Sequence, residues 1–156
     1  MESRTKHTYR TLLSELAKDV LVECPNCARQ ALVNTNGETV YRADKIKVRV
    51  VCGHCGYNKD LERIWVRNKQ FILGEAIDPF FHLPLWLKIE LGDHLLWAYN
   101  YEHLRFIEEH IAAKLRERNG FEHHKSRSIG ARLPRWMTAA KRREEMLRAI
   151  EKLRAK

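Results

Sequence analysis

Two short cysteine pairs constrain the fold of this chain more than any other feature of its sequence. Cys24 and Cys27 form the motif CPNC, Cys52 and Cys55 form the motif CGHC, and 24 residues separate the two motifs. They contain all four cysteines of the 156-residue chain. Two CxxC turns supply four thiolates, which complete a tetrahedral Zn²⁺ shell. The pattern predicts one structural zinc ion, against the alternatives of disulfides or a thioredoxin-like redox pair.

The rest of the sequence indicates a reducing compartment, where paired cysteines favour metal over disulfides. No apolar run approaches the ~20 residues that a membrane-spanning helix needs, and the first residues, MESRTKHTYRTLLSEL, lack the pattern of a secretory signal. We therefore expect a cytoplasmic protein without a membrane partner. No P-loop, nucleophile elbow or dinucleotide motif is present, so no small-molecule substrate is predicted.

The residues around the cysteines fit a metal-binding turn followed by a strand. Gly56 follows the second pair, where a left-handed backbone is easily adopted, whereas Ala28 at the same place after the first pair is less favourable. Before the second pair, apolar and basic residues alternate, as in a half-buried strand with a basic outer face. The alternating residues are Lys45, Ile46, Lys47, Val48, Arg49 and Val50.

In these motifs the chain resembles the zinc-ribbon superfamily, specifically ribbons of the transcription-factor type. The resemblance covers residues 23–68 and is carried by the CPxC knuckle, the CxxCG knuckle and the strand between them. It implies a β-hairpin that joins the knuckles, with Cys24, Cys27, Cys52 and Cys55 as ligands. Ribbons act as nucleic-acid binders, docking modules or structural braces, so the resemblance does not define an activity.

Two kinds of ribbon-like protein differ from this sequence. Transcript-cleavage ribbons have an Asp-Glu pair at the hairpin tip, where this chain has Asp44 followed by Lys45. Rubredoxins bind iron between similar knuckles and usually have glycine after both, whereas Ala28 follows the first knuckle here. The sequence therefore favours zinc over iron, without transcript cleavage.

Outside the ribbon, hydrophobic periodicity predicts an α+β protein. The expected segments are an N-terminal helix (residues 1–23, its apolar face running from Tyr9 to Val20), the zinc ribbon (24–74), an aromatic β-hairpin segment (75–100) and a basic helical region (101–156). The hairpin is predicted to pair residues 85–90 with 94–99, and its aromatic side chains are predicted to be core rather than a base-stacking platform. Two C-terminal helices complete the prediction. The first has the stripe Leu104, Ile107, Ile111 and Leu115, and the second begins at Pro134.

Charge is concentrated in two of these segments. The chain carries a formal net charge of +9, of which residues 24–74 contribute +5, residues 75–100 contribute −3 and residues 101–156 contribute +7. Such a field favours contact with phosphates, so DNA or RNA is the predicted partner. The predicted contacts are Lys45, Lys47, Arg49, Arg132, Arg135, Lys141, Arg142 and Arg148.

The sequence predicts a zinc-binding, nucleic-acid-binding accessory protein with no catalytic residues. A protein–protein adaptor in a larger assembly is the competing class, and exposed aromatic side chains in the hairpin segment would favour it. A His-Asn-His nuclease is a weaker alternative, in which His82, Asn100 and His110 would act. Both cysteine pairs lie upstream of those residues, unlike the usual arrangement in such nucleases, and Asn100 is equally suited to cap a helix.

Overall fold

The computed structural model describes residues 12–40, 47–61, 71–112 and 133–156, and the backbone of residues 4–5 and 115–116. Backbone contacts divide the chain into two compact units. One is the continuous segment Ser14–Asn100, which contains the four cysteines. The other, the helical unit, combines Met1–Leu13 with Tyr101–Lys156. The described residues form a mixed α+β structure, as predicted.

The cysteine-bearing unit is built on a four-stranded antiparallel sheet. Its strands are β2 (Val20–Glu23), β3 (Gln30–Asn34), β4 (Arg49–Val51) and β5 (Asn58–Asp60), in the spatial order β2-β3-β4-β5. Each cysteine pair lies at the turn of one hairpin, the first between β2 and β3 and the second between β4 and β5. Pairing of β3 with β4 brings the two turns to the same end of the sheet.

One face of this sheet is core. Its inward side chains are β-branched or small, which suits a pleated, buried surface. They are Val20, Val22, Ala31, Val33 and Val50, each at most 3% exposed. The predicted alternation before the second knuckle is present from residue 47 onward, with Val48 and Val50 buried and Lys47 and Arg49 exposed. Lys45 and Ile46 lie outside the described residues.

A second hairpin forms a separate two-stranded sheet, and the residues that flank it are hydrogen-bonded to β2. Strands β6 (Leu87–Leu91) and β7 (His94–Ala98) pair through a two-residue turn in which Gly92 has φ 61°, as the first position of a type II′ turn requires. Leu21 bonds both sides of this hairpin: its N–H donates to Tyr99 O at 2.7 Å, and its carbonyl accepts the N–H of Trp86 at 3.0 Å. The end of the segment predicted as the N-terminal helix (1–23) is thus hydrogen-bonded to the predicted aromatic segment (75–100) within one unit.

Most aromatic side chains of this segment are wholly or partly core. Phe80 and Tyr99 are fully buried, while Phe81, Trp86 and Trp97 are half-buried. The segment before the hairpin is fixed by the buried carboxylate of Asp78. It accepts the backbone N–H groups of Phe80, Phe81 and Leu83 at 2.9, 2.7 and 2.6 Å. Burial raises the pKa of Asp78, although these three donors oppose that rise.

The predicted N-terminal helix is wrong at its C-terminal end. Helix α1 spans only Leu13–Leu16, and Val20–Glu23 form strand β2 instead. Asp19 ends the local helical path with φ 53°, and reciprocal hydrogen bonds hold it to Thr35: Thr35 N donates to Asp19 Oδ1 at 3.2 Å and Asp19 N donates to Thr35 Oγ1 at 3.4 Å. Val20 belongs to an alternating strand pattern that overrides the helical spacing of the upstream leucines. Tyr9 lies outside the described residues.

The helical unit packs α2 (Tyr101–Ala112) against α4 (Arg143–Arg154). Both contribute apolar stripes to the core, namely Leu104, Ile107, Ile111, Met146, Ile150 and Leu153. Arg154 pairs with Glu108 across the two helices. A short parallel pair joins β1 (Arg4–Thr5) to β8 (Leu115–Arg116).

Two helix boundaries in this unit differ from prediction. The first helix ends at Ala112, and Leu115 lies in β8 rather than on the helical stripe, because its backbone pairs with Arg4. The last helix begins after Pro134 but is not continuous: α3 (Arg135–Thr138) and a 3₁₀ turn (Ala140–Arg142) precede α4. Ala139 interrupts it with the extended ψ of 128°. Among the described residues, no helix has the length and apolar content required to cross a bilayer.

Candidate metal centre

The two cysteine turns have the same backbone hydrogen bonds. In the first, Ala28 N donates to Cys24 O at 2.9 Å and Cys24 N donates to Arg29 O at 2.7 Å. In the second, Gly56 N donates to Cys52 O at 3.0 Å and Cys52 N donates to Tyr57 O at 2.8 Å. Each turn therefore closes its hairpin and points both thiols of its pair to one side.

The residue after each pair adopts the left-handed conformation. Ala28 has φ 63° and Gly56 has φ 78°. Glycine reaches this region without steric cost, whereas the alanine Cβ costs about 1–2 kcal/mol. The first knuckle thus has the same geometry as the second despite the less favourable residue at position 28.

The four sulfur atoms form a compact cluster. Cys24 Sγ lies 3.6 Å from Cys55 Sγ, Cys27 Sγ lies 3.6 Å from Cys52 Sγ, and all four lie within 4.8 Å of one another. Zn–S bonds of about 2.3 Å would place tetrahedral sulfurs about 3.8 Å apart. A disulfide requires about 2.05 Å, much less than either close pair. The cysteines therefore fit a single tetrahedral ion, and Cys24, Cys27, Cys52 and Cys55 would hold it.

Backbone and side-chain donors favour thiolate at the second knuckle. The pKa of Cys55 is lowered to about 6, first by the side-chain amide of Asn26 and then by the backbone N–H of Tyr57. The pKa of Cys52 is also lowered, chiefly by the backbone N–H of Cys55. Cys27 differs: the Arg29 N–H lowers its pKa, but burial and the neighbouring thiols raise it to about 12. Without a cation the cluster therefore retains part of its protons, and a bound cation would displace them.

Solvent reaches the cluster from one side. Cys24 and Cys52 are 3% and 1% exposed, whereas Cys27 is half-buried and Cys55 is exposed. The first cysteine of each pair is therefore anchored in the core, and the second faces outward. This arrangement suits a structural ion at the end of the sheet, with an entry path on the side of Cys55.

Asn26 is a functional residue that the sequence reasoning did not identify. Its backbone N–H donates to Cys24 Sγ at 3.4 Å, and its side-chain amide lowers the pKa of Cys55 in the other knuckle. It therefore acts on one sulfur of each pair. A carboxamide between two cysteines was the available signal, since such a side chain can donate to a thiolate.

The predicted phosphate-contacting residues of the cysteine-bearing unit are partly neutralised. Arg49 forms a bidentate pair with Asp60 across β4 and β5, at 2.7 Å and 3.1 Å. Asp60 has a lowered pKa, chiefly through its hydrogen bond with Arg49, with a smaller Coulombic contribution from Lys47. Lys47 itself is exposed. Lys45 lies outside the described residues.

In the helical unit, four of the predicted contacts lie on the segment from α3 to α4. Arg135 and Lys141 are exposed. Arg142 lies 6.0 Å from the Trp136 ring centroid and pairs with Glu145 at 3.3 Å, and Arg148 pairs with Glu144 at 3.5 Å. Arg132 lies outside the described residues.

The three residues of the nuclease alternative have different surroundings. His110 is 1% exposed in the core of the helical unit. The Asn100 side chain donates to the carbonyls of Leu16 and Lys18 at 2.8 and 2.7 Å. His82 has φ 60°, and its Nε2 is buried without a hydrogen-bond partner among the described residues. Each side chain thus has a structural environment of its own.

Comparisons with protein-family models, with curated proteins and with solved structures find no match for this chain. The resemblance to ribbons therefore depends on the cysteine motifs.

Proposed function

We propose that the cysteine-bearing unit is a zinc ribbon and that the chain is a non-catalytic accessory protein that binds nucleic acid. The sulfur cluster is the observation that carries the metal assignment, because four thiols from two matched knuckles lie within 4.8 Å of one another. Zinc is the natural ion for four thiolates at a site without an open ligand position.

Elemental analysis combined with native mass spectrometry tests the metal. We expect one Zn²⁺ per chain, lost in Cys52→Ser, together with loss of the structure of the cysteine-bearing unit. Cys52 is buried, so its replacement removes a ligand and an anchor of the second knuckle. Iron with a rubredoxin-type spectrum, or no metal in freshly purified protein, would exclude a zinc ribbon.

The proposal of a nucleic-acid partner is supported by charge. The net charge of +9 and the isoelectric point of about 9.6 favour a polyanion, and lysine and arginine are the residues that contact phosphates. Titration of duplex DNA and of RNA at several salt concentrations tests it. With four to six contacts, the slope of log affinity against log salt should be about −4 to −5 on duplex DNA. Binding that does not weaken with salt would contradict the proposal.

We further propose that the chain has no catalytic activity. Its cysteines are assigned to the metal, and His110 is 1% exposed. Incubation of DNA and RNA with divalent cations should leave both intact. Cleavage that is lost in His82→Ala would instead support the nuclease alternative.

A second candidate function, the adaptor, is favoured by the outer face of the sheet. Leu21, Leu32 and Val51 are paired in register across β2, β3 and β4, on the face opposite the core. Val51 is 41% exposed, and the two leucines are half-buried. Capture of a protein partner from nuclease-treated extract by the wild type, but not by Val51→Lys, would favour this function over nucleic-acid binding.

A further inference from the structure

The two units differ completely in net charge. The helical unit (residues 1–13 and 101–156) contains 18 Lys+Arg and 9 Asp+Glu, whereas residues 14–100 contain 11 of each. The entire charge of +9 therefore belongs to the helical unit, and the cysteine-bearing unit is neutral. Residues 24–74 are basic, but residues 14–23 and 75–100 are acidic, and within the cysteine-bearing unit these charges cancel.

The neutral unit also balances charges locally. Arg49 is held by Asp60 in a bidentate pair, and Lys88 Nζ lies 3.3 Å from Glu23 Oε1. A cation that already contacts a carboxylate gains less from a phosphate, since that contact must first be broken. The charge of Lys47 also acts on Asp60 and contributes to its lowered pKa.

The described cations of the helical unit differ in their partners. Four arginines have carboxylate partners: Arg105 with Glu109, Arg142 with Glu145, Arg148 with Glu144 and Arg154 with Glu108. In the segment that precedes α4, Arg135 in α3 and Lys141 in the 3₁₀ turn are exposed and have no acidic group within ion-pair distance among the described residues. Residues 133–156 as a whole carry eight Lys+Arg against three Asp+Glu. Cations in a positive field with no carboxylate partner attract phosphate most strongly.

We infer that nucleic acid binds to the helical unit, with Arg135 and Lys141 as phosphate contacts, and that the cysteine-bearing unit adds no net electrostatic attraction. This inference rests on the proposed function. It assigns the phosphate contacts to the helical unit alone, whereas the sequence predicted contacts in both units. The ribbon then stabilises the protein or positions it, while the helices hold the phosphate backbone. The contact is independent of base sequence because it is made to phosphates.

Two matched double variants test the assignment. Arg135→Ala/Lys141→Ala removes one exposed arginine and one exposed lysine from the helical unit. Arg29→Ala/Lys59→Ala removes the same two residue types, also exposed, from the cysteine-bearing unit. Each lowers the net charge by two. Far-UV circular dichroism and zinc content establish that both variants fold as the wild type does.

The probe is a mixed-sequence DNA duplex, titrated between low and moderate salt, with RNA of the same length in parallel. We expect the first variant to make the salt slope shallower by about 1.8, because each lost phosphate contact contributes about 0.9. The second variant should keep the wild-type slope. An equal or larger change in the second variant, or no change in the first, overturns the inference while nucleic-acid binding itself stands. Absence of wild-type binding to either probe at low salt overturns the proposed function, and the inference with it.

Discussion

The two left-handed residues of the cysteine turns allow a quantitative test of how the metal centre is built. Ala28 and Gly56 occupy equivalent places, with φ 63° and 78° and matching hydrogen bonds to Cys24 and Cys52. A Cβ added at Gly56 would have no atom within 4 Å, so Gly56→Ala changes only backbone strain and chain entropy. The reverse substitution, Ala28→Gly, should have the opposite effect.

The magnitude follows from two opposing contributions. A left-handed alanine costs about 1–2 kcal/mol, and removing a glycine recovers about 0.4–1 kcal/mol by restricting the unfolded chain. Gly56→Ala should therefore reduce the free energy of unfolding by about 1 kcal/mol, and Ala28→Gly should raise it by about the same amount. Because zinc binding and folding of the knuckles are coupled, zinc affinity should change about fivefold in the same directions.

Competition with a chromophoric chelator measures the affinity, and guanidinium unfolding at fixed free zinc measures the stability. Gly53→Ala is the matched control. It lies in the second knuckle, its added Cβ also meets no atom within 4 Å, and its φ is outside the left-handed region. We expect this control to be neutral or slightly stabilising. If Gly56→Ala costs no more than the control, or if Ala28→Gly weakens zinc binding, the reasoning about the knuckle backbone is refuted.

Three further predictions concern individual side chains. In zinc-free protein, Asn26→Ala should raise the pKa of Cys55 from about 6, so alkylation of Cys55 at neutral pH should slow. An unchanged pH profile of the alkylation rate would contradict the role of the amide. Asp78→Ala removes the acceptor of three N–H groups and should reduce the free energy of unfolding by about 3 kcal/mol or more, whereas Glu90→Ala at an exposed site should change it by less than about 0.5 kcal/mol. Burial lowers the pKa of His103 to about 3, so the unfolded chain takes up a proton at higher pH than the folded chain does, and stability falls as the pH drops from about 6.5 towards 3. In NMR titrations the His103 ring signals should stay constant from pH 8 to 5. Movement of these signals in that range would refute the assignment.

Local sequence was sufficient for the features that depend on near neighbours. The spacing of the cysteines predicted one four-thiol cluster, and the alternation of Lys47, Val48, Arg49 and Val50 predicted which side chains are buried. The buried stripe of α2 followed from its 3.6-residue period. The alternation, the helical stripe and each CxxC turn are set by residues a few positions apart, whereas the two turns meet only through the pairing of β3 with β4.

The features that were predicted wrongly depend on distant partners. Val20 continues an apolar helical spacing, but its strand is fixed by pairing with Val33. Ala139 and Ala140 are strong helix formers, yet the helix is interrupted at Ala139, between α3, in which Met137 is buried, and the 3₁₀ turn. The effect of the Asn26 side chain on the pKa of Cys55 crosses from one knuckle to the other, and no local propensity predicts it.

The arrangement of the units in the chain has a consequence for the order of folding. Residues 14–100 are inserted between the two parts of the helical unit, and synthesis completes this insert before α2, α3 and α4 exist. If this insert were unfolded, bringing its two ends together would cost about 4 kcal/mol of loop-closure entropy. The folded insert removes that opposition, because Asn100 bonds the carbonyls of Leu16 and Lys18 and so fixes its exit beside its entrance. Loading the metal during translation would therefore hasten the later pairing of β1 with β8, two strands that belong to the other unit.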